Sequence, residues 1–304
     1  MITASFFSYK GGSCRSTTTM NTSYFIATEL NATEDNPIVM VDMDVDSAGL
    51  TILFESHRKA EKLTVQELMT MPDNMINELL DPNFDGILAE HPFFSKLVPV
   101  GKRLGLNEDR AALLLSADIS HNGTFTVDER ASTIISRVKN LCERQGCEAL
   151  LFDTPTGAQV NASISLGNSD VIVCCMRPTY QFRAGTAAFL CESFKNGMEY
   201  EYILCPTAVS KQQVVLPGGI VMPDGLQDLY IKDVIEPIER IDYRDHINVR
   251  MIINDDGILG IPEVALFKWK EACLSKIERV SDDEDEAFRC YNYLAKLIIE
   301  DVIG

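Results

Sequence analysis

The chain has 304 residues, of which 46% are hydrophobic and 24% are charged, a composition ordinary for a globular protein and sufficient for one large α/β domain or two small ones. Its 27 Lys and Arg residues face 45 Asp and Glu residues, which gives a formal net charge of −18. Because nonspecific nucleic-acid binding depends on phosphate neutralisation by Lys and Arg, this balance disfavours a DNA-coating surface.

Cysteine usage indicates the redox compartment. Nine cysteines are scattered without a C-x-x-C pair, and no charged and apolar leader precedes the first strand-like run. No apolar stretch is long enough to span a bilayer. We therefore expect a cytoplasmic protein with free thiols, without disulfides or structural zinc.

The first elements predict a strand, a glycine-containing loop and a helix. The segment "ITASFFSY" is β-branched and aromatic and runs into Gly11 and Gly12, and residues 16 to about 30 carry apolar side chains at helical spacing. A second strand, "PIVMVDMD", ends in Asp42, Asp44 and Asp46. Since central parallel strands end at a ligand crevice, we expect these carboxylates to lie beside the loop.

The middle of the chain alternates strands and helices. Residues 55–110 are polar and helix-like and lead to a strand at "AALLLSA"; the segment 127–144 has helical spacing. The later segments predict a strand at "EALLFD", a strand at "SDVIVCCM", a helix at "QFRAGTAAFLCESFKN" and a strand at "EYILCP". This alternation predicts an α/β fold with a mostly parallel sheet and helices on both faces.

Adjacent Cys174 and Cys175 are expected to pack on opposite faces of their strand.

We expect a single domain over residues 1–304, with less regular insertions at about 55–110 and 208–258. Within the second insertion, "VVLPGGIVMPDG" predicts a loop or hairpin and "LQDLYIKDVIEPIERI" a helix. Two final helices are predicted near residues 262–276 and 284–303. The second opens in "SDDEDE", where Ser281 and the acidic residues suit a helix N-terminus.

The last helix carries a stripe of apolar residues. They are Phe288, Tyr291, Leu294, Ala295, Ile298 and Val302. A helix that lies on a membrane surface needs Lys and Arg on its polar face, whereas this one has Arg289 and Lys296 among several acids. Packing of the stripe on the domain is therefore favoured.

The loop "KGGSCRST" departs from the standard phosphate loop G-x-x-x-x-G-K-[ST]. In that register Tyr9, Cys14, Arg15 and Ser16 occupy the four defining positions, and only Ser16 matches. A deviant form, K-G-G-x-G-[KR]-[ST]-T, fits much better from residue 10 to residue 17. In that alignment Cys14 is the one misfit.

With this deviant loop, the sequence resembles the ParA/MinD family of P-loop ATPases, particularly relatives with Arg in the loop. "VMVDMDVDSAGLT" is similar to the family's second motif, and "LLFDTPTG" to its Walker B strand ending in D-x-P. Weaker likeness continues through "SDVIVCCMRPTYQFRAG" and "GIPEVALFKWKEACL". The resemblance implies a P-loop NTPase fold, ATP or ADP with Mg²⁺ as cofactors, and a homodimer with nucleotide at its interface.

The resemblance also implies roles for individual residues. Those expected to bind the phosphates are Gly11, Gly12, Ser13, Cys14, Arg15, Ser16 and Thr17. Ser16 is expected to bind Mg²⁺ directly, with Asp42 and Asp153 beside the metal's waters. Asp44 is placed beside the attacking water, and Lys10 is expected to reach the phosphates of the partner subunit.

Three functions stay open at this point. The first is a slow ATPase in which ATP and Mg²⁺ control dimerisation and thereby the binding of an unknown protein partner. The second, motivated by Cys14 and Arg15, is a nucleotide-binding scaffold or regulatory protein that has lost hydrolysis. The third is an ATPase with DNA or a membrane as cargo, which the net charge and the acidic last helix disfavour.

Two readings of Cys14 also stay open. The first is a small residue that the loop tolerates. The second is a redox-sensitive nucleotide site, because a thiol at a helix N-terminus can have a lowered pKa.

Overall fold

The computed structural model describes most of the chain. The described residues are 1–54, 62–81, 83–97, 112–120, 130–157, 159–196, 198, 200–241, 249–253, 257, 259–268, 273–274 and 281–303. Within them, an eight-stranded sheet carries helices on both faces, which confirms the predicted α/β class.

The strands of this sheet are β1 (Ile2–Ser8), β2 (Ile38–Asp42), β3 (Phe94–Lys96), β4 (Ala112–Leu115), β5 (Ala149–Thr156), β6 (Val171–Met176), β7 (Glu201–Pro206) and β10 (Val249–Met251). A separate hairpin pairs β8 (Val214–Val215) with β9 (Val221–Met222), where the sequence predicted a loop or hairpin. The order in the large sheet is β10-β7-β6-β1-β5-β2-β4-β3. All neighbours are parallel except β3 and β4. Strand β1 therefore lies at the centre, between the two halves of the sheet.

The α-helices are α1 (Arg15–Glu29), α2 (Gly49–Leu53), α3 (Val65–Thr70), α4 (Asp73–Leu79), α5 (Arg130–Arg144), α6 (Val160–Leu166), α7 (Tyr180–Lys195), α8 (Leu226–Tyr230), α9 (Glu236–Glu239) and α10 (Asp282–Ile303). A π-helical turn, Ile231–Ile235, joins α8 to α9, and short 3₁₀ helices lie at Leu88–Glu90 and Ala265–Lys268.

Alternating side chains of the strands fill two layers of core. Helices α1 and α10 cover one face of the sheet, while α3 to α7 and the α8–α9 segment cover the other. Cys175 packs in the first layer and Cys174 in the second, as their alternation in β6 predicted. None of the nine cysteines is part of a disulfide bond.

Helix α10 packs on the domain through the predicted stripe. Tyr291, Leu294 and Ile298 are buried, and the ring of Phe288 lies edge-on to Phe25 of α1 at a centroid distance of 4.8 Å. At its start, the Glu284 backbone N–H donates to the Ser281 hydroxyl, and the Ser281 N–H donates to the Glu284 carboxylate. This capping box is the N-terminus that the sequence predicted. No helix in the described ranges is both long and apolar enough to cross a bilayer.

Several boundaries differ from the sequence predictions. The helix predicted near residues 262–276 is a 3₁₀ turn from Ala265, because Pro262 is held in a parallel bridge with Val209. Residues 269–272 and 275–276 of that prediction, and 127–129 of the helix before β5, lie outside the described part. Strands β3 and β10 were not predicted, since three residues are too few to show a period.

Candidate functional site

The candidate site lies at the carboxyl end of β1, where the sheet order changes direction. Strand β1 pairs with β5 on one side and with β6 on the other, so the next strand in sequence, β2, is one place removed from it. In open α/β sheets such a switch point leaves a crevice beyond the strand ends. Residues 9–14 connect β1 to α1 across this crevice.

The loop reaches helix α1 through two left-handed residues. Gly12 has φ +81°, and Cys14, the residue that precedes the helix, has φ 58° and ψ 25°. A residue with a Cβ is disfavoured in this region, which explains why the deviant motif has Gly where this chain has Cys14. The side chain of Cys14 does not cap the helix. The first N–H groups of the 15-residue helix α1 thus have no side-chain cap from this residue, which suits an anion.

Two residues from neighbouring strand ends hold the loop. Arg177, directly after β6, donates from Nε to the Gly12 carbonyl at 2.8 Å, and one terminal nitrogen lies 3.9 Å from Cys14 Sγ. Thr207, directly after β7, donates from its hydroxyl to the Ser13 carbonyl at 2.6 Å. Sequence reasoning assigned neither residue. Their position after parallel strands that end at this edge was the available signal.

Arg15 turns inward and bridges two of the predicted acids. Its Nε donates to Asp153 Oδ1 at 2.6 Å, and one terminal nitrogen donates to Asp44 Oδ2 at 2.6 Å. The arginine side chain is 5% exposed, and that of Asp153 is fully buried. Burial alone would lower the pKa of Arg15, but the two carboxylates outweigh it and raise that pKa, so the guanidinium stays charged.

Asp42 and Asp153 lie side by side in the sheet. They are Cα partners in the parallel pairing of β2 with β5. Asp42 Oδ2 accepts hydrogen bonds from the Thr51 backbone N–H and hydroxyl, both at 2.7 Å. Burial and the nearby Asp153 raise the pKa of Asp42 to about 8, against the effect of the Thr51 bonds. Thr51 is a further site residue that sequence reasoning missed.

Ser16 completes this group. Its hydroxyl bonds to Asp153, and a Cβ on Gly49 would lie only 2.8 Å from Ser16 Oγ, so glycine lets α2 approach the loop. Burial raises the pKa of Asp153, while Arg15 and Ser16 favour its charged form and oppose the shift. The structure thus brings Ser16, Asp42, Asp44 and Asp153 together at one edge, whereas Asp46 is exposed.

Two carboxylate oxygens at this edge are candidate ligands for the Mg²⁺ that the family resemblance implies. Asp42 Oδ1 and Asp153 Oδ2 are buried and accept no hydrogen bond. Buried oxygens without a donor suit a cation or its bound waters, and Mg²⁺ is commonly held by one or two carboxylates plus phosphate oxygens. Nowhere in the described part of the chain do three or more His, Cys, Asp or Glu side chains form a metal cluster. The two buried oxygens of Asp42 and Asp153 thus fit the bound waters or the coordination shell of a divalent cation such as Mg²⁺.

A cleft of about 230 Å³ opens beside the loop. Its lining residues are Gly12, Cys14, Thr17, Arg177, Thr207, Ala208, Ile261, Pro262, Glu263, Val264, Phe267, Lys268 and Tyr291. The walls are largely apolar, and polar groups lie toward the loop and at Glu263 and Lys268. Such a cleft suits a flat, partly apolar group attached to an anion.

Lys10 lies on the outer surface of the loop. Its side chain is exposed, and Nζ donates to Gln181 Oε1 on α7 at 2.7 Å. Two large side chains near it, Tyr9 and Tyr180, are 47% and 66% exposed. Lys10 thus lies on the solvent-exposed side of the loop, whereas Asp42, Asp44 and Asp153 are buried.

Comparison with solved structures supports the architecture. MinD, the cell division ATPase of Pyrococcus furiosus, is similar with a TM-score of 0.57 and 13% identity, over 97% of this chain and 99% of that one. The pNOB8 ParA structure matches with a TM-score of 0.62 and 15% identity over 99% and 98%. MinD from Pyrococcus horikoshii OT3, in complex with Mg-ADP, matches with 0.52 and 15% over 99% and 98%.

These likenesses show that the chain has the fold of the ParA/MinD-type P-loop ATPases. No protein-family model matches the sequence. No curated protein matches it either.

Proposed function

We propose that this chain is a P-loop ATPase that binds ATP with Mg²⁺ and acts as a nucleotide-dependent dimerisation switch of the ParA/MinD type. One observation carries the proposal. The uncapped N-terminus of α1, reached through left-handed Gly12 and Cys14, lies beside three strand-end carboxylates at the sheet's switch point. Phosphate binding at the helix and cation binding at the acids together are the requirements of a nucleotide-Mg²⁺ site.

The loop holds the phosphates in this proposal. Backbone N–H groups between Gly12 and Thr17 donate to phosphate oxygens, and Gly11, Ser13 and Cys14 complete the cradle. Hydrogen bonds from Arg177 and Thr207 hold the carbonyls of Gly12 and Ser13, which restricts the loop that carries these N–H groups. The similar structures include a MinD complexed with Mg-ADP, which supports the ligand class.

Three residues would hold Mg²⁺. Ser16 contributes its hydroxyl, and Asp42 and Asp153 contribute the buried oxygens that lack donors. When bound, the cation supplies positive charge at the phosphate oxygens, where negative charge develops during phosphoryl transfer. Asp44 orients the attacking water once Arg15 has moved toward the phosphates.

The cleft lined by Thr207, Pro262 and Phe267 takes the nucleobase. It adjoins Gly12, Cys14 and Thr17, so a base bound there would continue directly into a phosphate on the loop. Apolar walls suit the faces of an aromatic ring, and Glu263 and Lys268 offer polar contacts at its edge.

The exposed position of Lys10 supports the proposed dimerisation. An exposed ammonium near a phosphate site, flanked by the exposed rings of Tyr9 and Tyr180, suits contact with a second copy of the chain. Positive charge delivered to the partner's phosphates would stabilise the transition state as an arginine finger does. The dimer would in turn present a surface to a protein partner, which makes the enzyme a switch.

A second candidate function is a scaffold that binds nucleotide without hydrolysis. Arg15 favours it, because the guanidinium that would contact the phosphates is bonded to the acid that would orient the water. DNA or a membrane as direct cargo has less support, since the net charge is −18.

Turnover and mass measurements separate these candidates. ATP hydrolysis is measured for the wild type, Lys10→Ala and Asp44→Ala, and light scattering gives the mass with ADP or with a non-hydrolysable ATP analogue plus Mg²⁺. The proposal predicts slow turnover that both variants lose, and a dimer with the analogue alone. Binding without turnover in any form would select the scaffold, and failure to bind any adenine or guanine nucleotide would reject both.

A further inference from the structure

The buried acids at the site are balanced by one side chain. Asp42, Asp44 and Asp153 are all at most 9% exposed. The ion pairs that the described part of the chain shows at Asp44 and Asp153 both come from Arg15. Its Nε and a terminal nitrogen point at different carboxylates, so one cation bridges two anions.

This bridge has an energetic consequence. Removing the partner of a buried carboxylate is strongly destabilising, because the charge left behind has neither water nor a counter-ion. Arg15 therefore cannot leave Asp44 and Asp153 unless another cation takes its place. The same two acids lie beside Ser16 and Asp42, where the divalent cation fits.

We infer that Arg15, the internal counter-cation of Asp44 and Asp153, competes with Mg²⁺ for the carboxylate of Asp153. Phosphate oxygens on the loop would draw the guanidinium away, and Asp153 would then be able to hold the divalent cation together with Asp42 and Ser16. Nucleotide and Mg²⁺ consequently bind as a linked pair, and Mg²⁺ alone is excluded. This inference deepens the proposed function and rests on it for the phosphate step.

The geometry of this bridge also explains why arginine and lysine at position 15 would pair differently with the two carboxylates. A guanidinium has several N–H groups in a fixed fork, so Nε and a terminal nitrogen can serve separate carboxylates at 2.6 Å each. An ammonium on a flexible stem is a point charge. Lysine at position 15 would neutralise one acid well and the other poorly, and would exclude Mg²⁺ less completely.

Mg²⁺ alone tests the inference, without nucleotide. Thermal unfolding is followed with about 10 mM MgCl₂ against KCl of equal ionic strength, for the wild type, Arg15→Gln, Arg15→Lys and the double variant Arg15→Gln with Asp153→Asn. The inference predicts no specific shift for the wild type and a Tm rise of about 2 °C or more for Arg15→Gln. Arg15→Lys should lie between them, and the double variant should lose the shift.

Mn²⁺ binding keeps the test decisive where Arg15→Gln does not fold. Electron paramagnetic resonance of free Mn²⁺ then compares the wild type with Arg15→Lys, which should bind more of the ion. Equal responses to the divalent ion in the wild type and in the folded single variants, Arg15→Gln and Arg15→Lys, would overturn the inference. If the variants bind the ion as predicted but the protein binds no nucleotide, the competition between Arg15 and the divalent ion is upheld and the proposed function is rejected.

Discussion

The Arg177 guanidinium donates from Nε to the carbonyl of Gly12 at 2.8 Å, and this bond joins the end of β6 to the loop between β1 and α1. The two residues are 165 positions apart in sequence. The contact holds the carbonyl of Gly12, which has a left-handed backbone conformation, so it restricts the conformations that the loop can adopt. A loop held in this way loses less entropy when a ligand binds.

Arg177→Ala is therefore expected to weaken nucleotide binding about tenfold, or about 1.4 kcal/mol, because the loop loses a charge-assisted hydrogen bond. Isothermal titration with Mg²⁺ and ADP measures the change. Arg240→Ala is the matched control, since Arg240 is exposed and pairs with Glu236 on α9. Equal affinity in Arg177→Ala and the wild type would show that this bond does not organise the loop.

Lys10→Ala is expected to abolish most ATP turnover while a single subunit still binds nucleotide. An arginine-finger type contact contributes about 10³-fold or more to the rate, and Lys10 makes no contact with the buried acids of its own subunit in this account. Steady-state phosphate release and nucleotide titration measure the two effects separately. Lys195→Ala, at the other end of α7, serves as the control. Loss of binding and turnover in parallel would place Lys10 in its own subunit's site.

Cys14→Gly is expected to stabilise the protein by about 1 kcal/mol, because glycine adopts the left-handed conformation without the penalty of a Cβ. Urea unfolding measures the change. Cys14→Ala removes the thiol but keeps the Cβ at φ 58°, so it should give no gain. If alanine stabilises the protein as much as glycine does, the thiol and not the backbone is the source of the strain.

Asp42 is expected to make stability fall as pH rises. Its folded pKa of about 8 lies above the unfolded value of 3.8, so the folded state holds a proton that the unfolded state has lost between these values. The stabilisation is complete below the lower value and disappears through pH 8, with a slope of at most about 1.4 kcal/mol per pH unit. Urea unfolding at pH 6.5, 7.5 and 8.5 should show this slope in the wild type and a smaller one in Asp42→Asn. Parallel slopes in both proteins would contradict the assignment.

The placement of the acids could be predicted from sequence because it follows from regular structure. Parallel strands end at a common edge, so "VDMD" and "LLFDTP" had to bring Asp42, Asp44 and Asp153 near the loop after β1. The stripe on α10 was equally readable, since Tyr291, Leu294 and Ile298 recur at helical spacing. The prediction of one domain over residues 1–304 stays a prediction.

The rest depends on side-chain geometry that no local pattern carries. The bridge from Arg15 to Asp44 and Asp153 requires the register of β2 against β5. In this register Asp42, two residues before Asp44, is the Cα partner of Asp153. The anchors Arg177 and Thr207 come from strands on the far side of β1, and the loop alone gives no sign of them. The left-handed conformation of Cys14 likewise appears only in the structure.

Titration calorimetry with Mg²⁺ and a non-hydrolysable ATP analogue tests the central claim most directly. The account predicts saturable binding of one nucleotide per chain, with little or no binding when EDTA removes Mg²⁺, because Arg15 cannot leave its two carboxylates without a replacement cation. Absence of binding at millimolar nucleotide with Mg²⁺ present would contradict the claim that this loop and these acids form a nucleotide site.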